Sequence, residues 1–295
     1  RQMCIRDRFT PMLRARVRSG LLLSAVLLAA VFWARPWAAW LIVSAVAVLG
    51  LREFYRLLEA GGIPNFRIIG IACSLLLIAA AGLAPRMPPA WPDPTHAALF
   101  AGAVAVFARM LFQRGNPRPL ETMAGTLMGL LYVGYMMSFF LRLAFLGGDG
   151  ELSGRWSILY LVAVVKTGDM AAYFIGCRIG RHKLFPRVSP AKSWEGTIAG
   201  LVGAVAASLV ARALLGGVLG PVRLPLGSAI VLGLGLGVVG LFGDLLESLM
   251  KRAAGMKDSG SLIAGMGGVL DVLDSLLPAA PLLYFYLRYW LLPVR

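Results

Sequence analysis

Two histidines and three cysteines are scattered through 295 residues, and no two cysteines stand in a CxxC pair. A zinc centre or a disulfide framework has nothing to build on, so any metal must be held by oxygen. Carboxylate, carbonyl and water ligands suit magnesium, manganese or calcium, and magnesium is the usual companion of phosphate chemistry. Acidic residues are also scarce, fourteen against twenty-nine Lys and Arg, for a formal charge of +15. Charged residues of both signs make up only 15% of the chain, against roughly one-quarter in soluble domains. The bases form short clusters rather than a continuous stripe, which argues against nucleic acid as a partner and for anionic lipid. No G-x-x-x-x-G-K-[ST] loop and no inverted repeat of the kind used by transporters is visible.

Apolar residues are abundant: 59% of the chain is hydrophobic and the mean hydropathy is +0.77. Windows of about 19 residues predict an all-α, polytopic integral membrane helical bundle of about nine transmembrane helices. They fall near 19–34, 37–56, 67–84, 96–113, 120–146, 156–178, 195–218, 224–250 and 268–292. Alternate connections are basic: the tail through Arg18, then Arg52, Arg56 and Arg67, then Arg109, Arg114 and Arg118. Arg178, Arg181, Lys183, Arg187 and Lys192 follow, and then Lys251, Arg252 and Lys257. That asymmetry predicts a cytoplasmic N-terminus and a bacterial inner membrane protein. The run Leu21–Trp33 lacks a small-residue cleavage site and is expected to be a retained span rather than a signal peptide. The first ten residues read as a candidate cloning or frame artefact.

Seven of the fourteen acids fall between Asp169 and Asp274. The chain accordingly divides into a basic tail (1–18), a transmembrane scaffold (19–155) and a catalytic transmembrane region (156–295). Lys166 and Asp169 lie inside an apolar segment, where ionised groups need a partner or a wet cavity. Arg178, Arg181, His182, Lys183, Arg187 and Lys192 surround a Ser-Pro turn, a candidate polyanion cradle. Ser193 is placed to cap the following helix, whose free N–H groups favour phosphate. Asp244, Glu247 and Ser248 share a helical face just before Lys251 and Arg252. The acids sit near the unfavourable dipole end, a conflict that a bound cation would remove. Gly260, Gly267 and Gly268 permit the backbone turns of a phosphate nest, whereas Gly233, Gly235 and Gly237 read as close helix packing. Asp271 and Asp274 open the last span one turn apart, so both carboxylates are expected to face one metal or bridge two.

At these residues the chain resembles the phosphatidate cytidylyltransferases, also called CDP-diacylglycerol synthases. The family pattern Ser-x-x-Lys-Arg, Lys-Asp-x-Gly, a glycine pair and Asp-x-x-Asp is matched by Ser248, Lys251, Arg252, Lys257, Asp258, Gly260, Gly267, Gly268, Asp271 and Asp274. Asp-x-x-Ala-Tyr-x-x-Gly is matched from Asp169, and Ser-Pro-x-Lys-[ST]-x-Glu-Gly from Ser189 to Gly196. Three positions depart from the usual proline, histidine and arginine: Ala264, Met266 and Val272. The resemblance covers most of the chain and implies Mg²⁺-dependent transfer of CMP from CTP to phosphatidate at the cytoplasmic face.

Within that expectation, Asp169, Asp244, Asp271 and Asp274 are the metal candidates, for one or two ions. Asp244, Asp271, Asp274, Lys251 and Asp258 are the catalytic set. Ser189, Lys192, Ser193, Glu195, Ser248, Arg252, Lys257, Gly260, Gly267 and Gly268 are expected to bind substrate. Two alternatives stay open: a related lipid or polyprenol phosphotransferase or kinase, and an ion-coupled transporter using Asp169, Lys166 and Asp244. Small-residue faces pack either within one bundle or between the protomers of a homodimer.

Overall fold

The computed structural model describes residues 35–88, 91–147, 152–263 and 267–292. The basic tail, the expected span at 19–34, Ala264 and Met266 lie outside the described residues. Helix α1 is Pro36–Ala60, α2 Arg67–Leu83 with a 3-10 turn Ala84–Arg86, α3 Pro94–Leu111 and α4 Pro119–Gly129. A π-helical turn, Leu130–Tyr135, carries α4 straight into α5, Met136–Ala144. Then come α6 (Arg155–Ile179), a hairpin of β1 (Lys183–Phe185) and β2 (Ser189–Ser193), and α7 (Trp194–Leu214). A second small hairpin, β3 (Val218–Leu219) and β4 (Val222–Arg223), leads to α8 (Leu226–Ala253). The chain closes with α9 (Val269–Leu273), α10 (Leu276–Tyr286) and a π-helical turn Leu287–Leu291.

Eight segments among the described residues are long and apolar enough to cross a membrane, and they coincide with eight of the nine expected spans. The protein is a membrane-spanning helical bundle. Local sequence starts these helices where they start. Pro36, Pro94 and Pro119 occupy first-turn positions, where a missing N–H leaves no intrahelical bond unmade. Asp93 caps α3 by accepting from the Thr95 amide at 2.9 Å.

The span Pro119–Ala144 is the axis of the bundle: 72% of its apolar window is buried, against 17–39% in the other seven. Phe139, Leu141 and Leu143 of α5 join Phe54 and Tyr55 of α1, Tyr160 and Val164 of α6, and Leu277 and Leu283 of α10 in one core. Outward-facing Ile68, Phe100, Val202 and Leu234 remain exposed, as lipid-facing positions should. Small residues set the closest helix contacts. A Cβ on Gly200 would lie 2.9 Å from Ala172 Cβ, and one on Gly233 would lie 2.7 Å from Val205 Cα. Gly233 and Gly237 therefore let α8 approach α7, the packing role expected from sequence. Cys73 is a buried free thiol.

A buried ion pair ties the end of α5 to the start of α3. The Arg142 guanidinium donates to Asp93 and Thr95 and lies 5.5 Å over the Tyr284 ring. Burial pushes the Asp93 carboxyl up, but the hydrogen bonds from Arg142 and Thr95 and the Arg142 charge outweigh it and hold the group below its ordinary value. The contribution of this pair is therefore complete above about pH 4, the unfolded carboxylate value, and is lost as pH falls through the depressed native one. Thermal unfolding in detergent should show Asp93→Asn less stable than the parent at neutral pH, with the difference shrinking toward pH 2. A difference independent of pH would refute the linkage.

Candidate active site

Antiparallel connection brings the ends of α1, α6 and α8 and the starts of α7 and α9 to one end of the bundle. Gly61, just past α1, sits so close to Ala254, just past α8, that a Cβ there would touch it at 3.5 Å. Asp169 is ten residues before the end of α6 and Asp244 nine before the end of α8, so both lie roughly 15 Å below the helix ends. The polar groups therefore run from the helix ends down into the bundle rather than forming a patch at its end.

Deepest is a cluster around Lys166. Its ammonium is 3.4 Å from Asp169, 3.9 Å from Asp274 and 2.8 Å from the Ser275 hydroxyl, which itself donates to Asp169 at 3.0 Å. The i, i+3 pairing expected within α6 is present, and it extends to residues more than a hundred positions away. Beside it, Lys192 reaches in from β2 to pair with Asp244 at 2.7 Å, and Ser248 donates to the same carboxylate at 3.3 Å. Nearer the helix ends, Lys251 lies 2.6 Å from Asp271 and 3.4 Å from Glu247. Asp271 Oδ2 also accepts from the Gly268 amide at 2.7 Å, the Ser259 amide at 2.9 Å and the Ser259 hydroxyl at 2.8 Å.

Asp271 and Asp274 lie one turn apart, as expected, because Asp274 and Ser275, between α9 and α10, both keep right-handed helical backbone angles. The Ser275 amide donates to Asp274 Oδ1 at 2.6 Å. One carboxylate is directed to Lys251 and the other to Lys166. The segment read as a Ser-Pro turn is a strand: Ser189 pairs with Phe185 and Ser193 with Lys183, and the register shifts between them. Pro190, which has no N–H, falls in that irregular stretch, where a ladder bond is not required of it.

Ser193 caps α7 as expected, accepting from the Gly196 amide at 3.2 Å. Glu195 turns back onto the hairpin, accepting from the Arg181 amide at 3.1 Å and the His182 amide at 3.2 Å, and it meets the His182 ring at 2.7 Å. With Arg181, Lys183, Trp194 and Ile198 these groups line an open cleft of about 840 Å³. Arg178, Arg187, Arg252, Lys257 and Asp258 are exposed, and Ser189, Gly260 and Val272 are half-buried. Gly267 takes a positive φ of 97°, the one signature glycine whose backbone conformation excludes a side chain.

Three lysines, 166, 192 and 251, thus sit among five carboxylates: Asp169, Asp244, Glu247, Asp271 and Asp274. When all are ionised, two negative charges are left over, the charge of one divalent cation. Among the described residues no three acidic, histidine or cysteine side chains converge as a ready-made chelate. Two observations nonetheless fit a hard cation: every donor is oxygen, and both oxygens of the fully buried Glu247 lack a hydrogen-bond partner. Asp169 and Asp244 have side chains 40% and 35% exposed, against 12% and 8% for Asp274 and Asp271, so the first two face an incoming ligand.

Three contributors were not singled out from sequence. Ser259 and Ser275 adjoin signature residues but carry no chemistry by themselves until the fold sets them between carboxylates. Glu53 lies in the half read as scaffold, between Arg52 and Arg56, which count toward a basic connection. It is 2% exposed and accepts from the Leu270 amide at 2.8 Å. The only sequence signal was an acid in a stretch of α1 that also holds the large apolar residues Phe54 and Tyr55.

Comparison with known proteins places the chain in a family. Residues 14–290 match the cytidylyltransferase family. A phosphatidate cytidylyltransferase of Synechocystis is 34% identical over 280 residues, covering 85% of this chain and 88% of that protein. The Brucella suis phosphatidate cytidylyltransferase is 46% identical over 159 residues, 54% of this chain and 55% of its own. A chloroplastic phosphatidate cytidylyltransferase of Arabidopsis thaliana is 31% identical over 280 residues, 85% of this chain and 66% of that one. An acidic, lysine-paired cluster at one end of a membrane bundle and a match along nearly the whole length lead to one assignment: the chain belongs to the cytidylyltransferase family.

Proposed function

We propose that the protein is a phosphatidate cytidylyltransferase, converting CTP and phosphatidate to CDP-diacylglycerol and pyrophosphate. The observation that carries the reading is the convergence of Asp169, Lys192, Asp244, Lys251, Asp271 and Asp274, drawn from four separate segments, in a cluster walled by lipid-exposed helices. Such a site suits two substrates of opposite polarity. The triphosphate enters from water at the basic mouth, and the acyl chains stay in the bilayer. The basic connections support a cytoplasmic mouth in a bacterial inner membrane.

A phosphatidate phosphate oxygen attacks the α-phosphorus of CTP. A new P–O–P linkage forms, the bond from the α-phosphorus to the α,β-bridging oxygen breaks, and pyrophosphate departs with that oxygen and its electron pair. The nucleophile is already anionic, so the site has to position it and neutralise charge rather than remove a proton. Lys192, Lys251, Arg252 and Lys257 are the cations placed to hold phosphate oxygens, and Gly267 and Gly268 allow the backbone to come close. Asp244 and Asp274, with Asp169 and Asp271, would hold Mg²⁺ as one or two ions. When bound, the metal supplies charge neutralisation of the triphosphate and the leaving pyrophosphate. The lysine partners keep the carboxylates apart and ionised in an apolar bundle, where unpaired acids would be strongly disfavoured.

The test is to incubate detergent-purified protein with cytidine-labelled CTP, phosphatidate and Mg²⁺. Equal yields of pyrophosphate and a lipid carrying the cytidine label are expected. CDP as the nucleotide product, with phosphate on the lipid, would instead identify a kinase, and no turnover together with substrate-driven ion flux in liposomes would identify a transporter.

A further inference from the structure

Outside the residues assigned so far, one buried charge is tied directly to the signature loop. Glu53 Oε2 accepts from the Leu270 amide at 2.8 Å and faces the Ser259 hydroxyl at 3.3 Å, across 217 and 206 residues of sequence. Two glycines of the loop are pressed against the same carboxylate. A Cβ on Gly260 would come within 2.6 Å of Glu53 Oε1, and a Cβ on Gly268 would collide with Oε2. The Ser259 hydroxyl that faces Glu53 is also 2.8 Å from Asp271 Oδ2, whose other oxygen meets Lys251. Farther out, the loop is closed by paired backbone bonds between Ile263 and Gly267, at 2.8 and 3.1 Å. Glu53 is the clasp at its base, where the two strands of the loop leave α8 and enter α9.

We propose that Glu53 is a positioning residue for the reaction inferred above: it fixes residues 259–260 to residues 268–270 and so sets where Asp271 and Lys251 stand when CTP arrives. The glycines at 260 and 268 are required because the carboxylate occupies the space of their side chains. This rests on the CTP reading, and it gives α1, in the half expected to be scaffold, a direct part in the site. A clasp of this kind depends on an accepting oxygen rather than on net charge. Removing the carboxylate also leaves the buried Leu270 amide without its acceptor, which costs the fold, so loss of function is read beside the thermal midpoint.

Two readouts that need no turnover test it on the full chain in detergent: calorimetric binding of CTP without phosphatidate, and the rate of tryptic cleavage after the exposed Lys257. Glu53→Leu is expected to unfold cooperatively at a somewhat lower midpoint, bind CTP at least tenfold more weakly and be cleaved at least tenfold faster. Glu53→Gln, which keeps an accepting oxygen at the same place, is expected to stay within threefold of the parent on both. Should Glu53→Leu fail to fold, Gly260→Ala opens the same contact and is expected to give the same paired change. Parent-like CTP binding and cleavage in Glu53→Leu or Gly260→Ala, or a loss in Glu53→Gln as large as in Glu53→Leu, would overturn the proposal. If the parent protein itself binds no CTP, it is the functional reading that fails, and the cleavage rates still report whether the clasp exists.

Discussion

Asp274→Asn should reduce CTP turnover by about 10²–10³-fold while leaving the thermal midpoint close to that of the parent. The substitution is nearly isosteric, and the amide oxygen can still accept from the Ser275 N–H between α9 and α10. What disappears is one negative charge beside Lys166, in a cluster whose acids outnumber its bases. Charge stabilisation of a transferring phosphoryl group is worth several kcal/mol, and each ~1.4 kcal/mol is a factor of ten in rate. The Mg²⁺ concentration giving half-maximal rate should rise in the same variant. Asp244→Asn should behave alike, with an additional increase in the KM for CTP, because Lys192 loses the partner that holds it 2.7 Å away. Unchanged turnover and unchanged Mg²⁺ dependence in folded Asp274→Asn would remove this residue from the site.

Lys251→Met should be the most damaging single change to the fold. The Lys251 ammonium lies 3.4 Å from Glu247, which is fully buried, and 2.6 Å from Asp271. Removing one partner of a buried pair leaves an uncompensated charge and is disfavoured by about 3–5 kcal/mol. Adding Glu247→Gln in the Lys251→Met background should recover part of that loss, with a coupling of about 1–3 kcal/mol in a double-mutant cycle. Activity should not return in the double variant, because the cation that meets phosphate is still missing. The cycle is read by thermal unfolding in detergent. Additive effects of the two substitutions would mean that Glu247 does not depend on Lys251.

The bundle itself was legible in the sequence because hydropathy is a property of contiguous residues. A stretch of some twenty apolar residues has to satisfy its backbone internally in lipid, and a helix is the way a single segment does so. The eight described spans consequently fall where windows of sequence put them. Caps are equally local, as Ser193 shows: its hydroxyl reaches an amide three residues on. Spacing did not give the partners. Asp271 and Asp274 keep i, i+3 spacing, yet one carboxylate meets Lys251 of α8 and the other lies toward Lys166 of α6.

Charge alone misled in the other direction at Glu53. Glu53 stands between Arg52 and Arg56, which count toward a basic connection, yet it is buried at a level of α1 where Phe54 and Tyr55 are buried too. Its partners stand more than 200 residues later. No local spacing encodes that contact, which depends on how α1 is rotated and how far it is slid against α9.

By itself the sequence determined that this is a membrane helical bundle, which types of atom could hold a metal, and which short motifs carry acids and bases. Those are consequences of composition and of spacing within a few turns. Only the tertiary structure decided which acid meets which lysine, that Lys192 reaches Asp244 from a β-hairpin, and that the scaffold half supplies Glu53. These matches are set by the rotation and register of helices packed through small residues, and a shift of about 1.5 Å, the rise of one residue, would disturb the pairings made between elements.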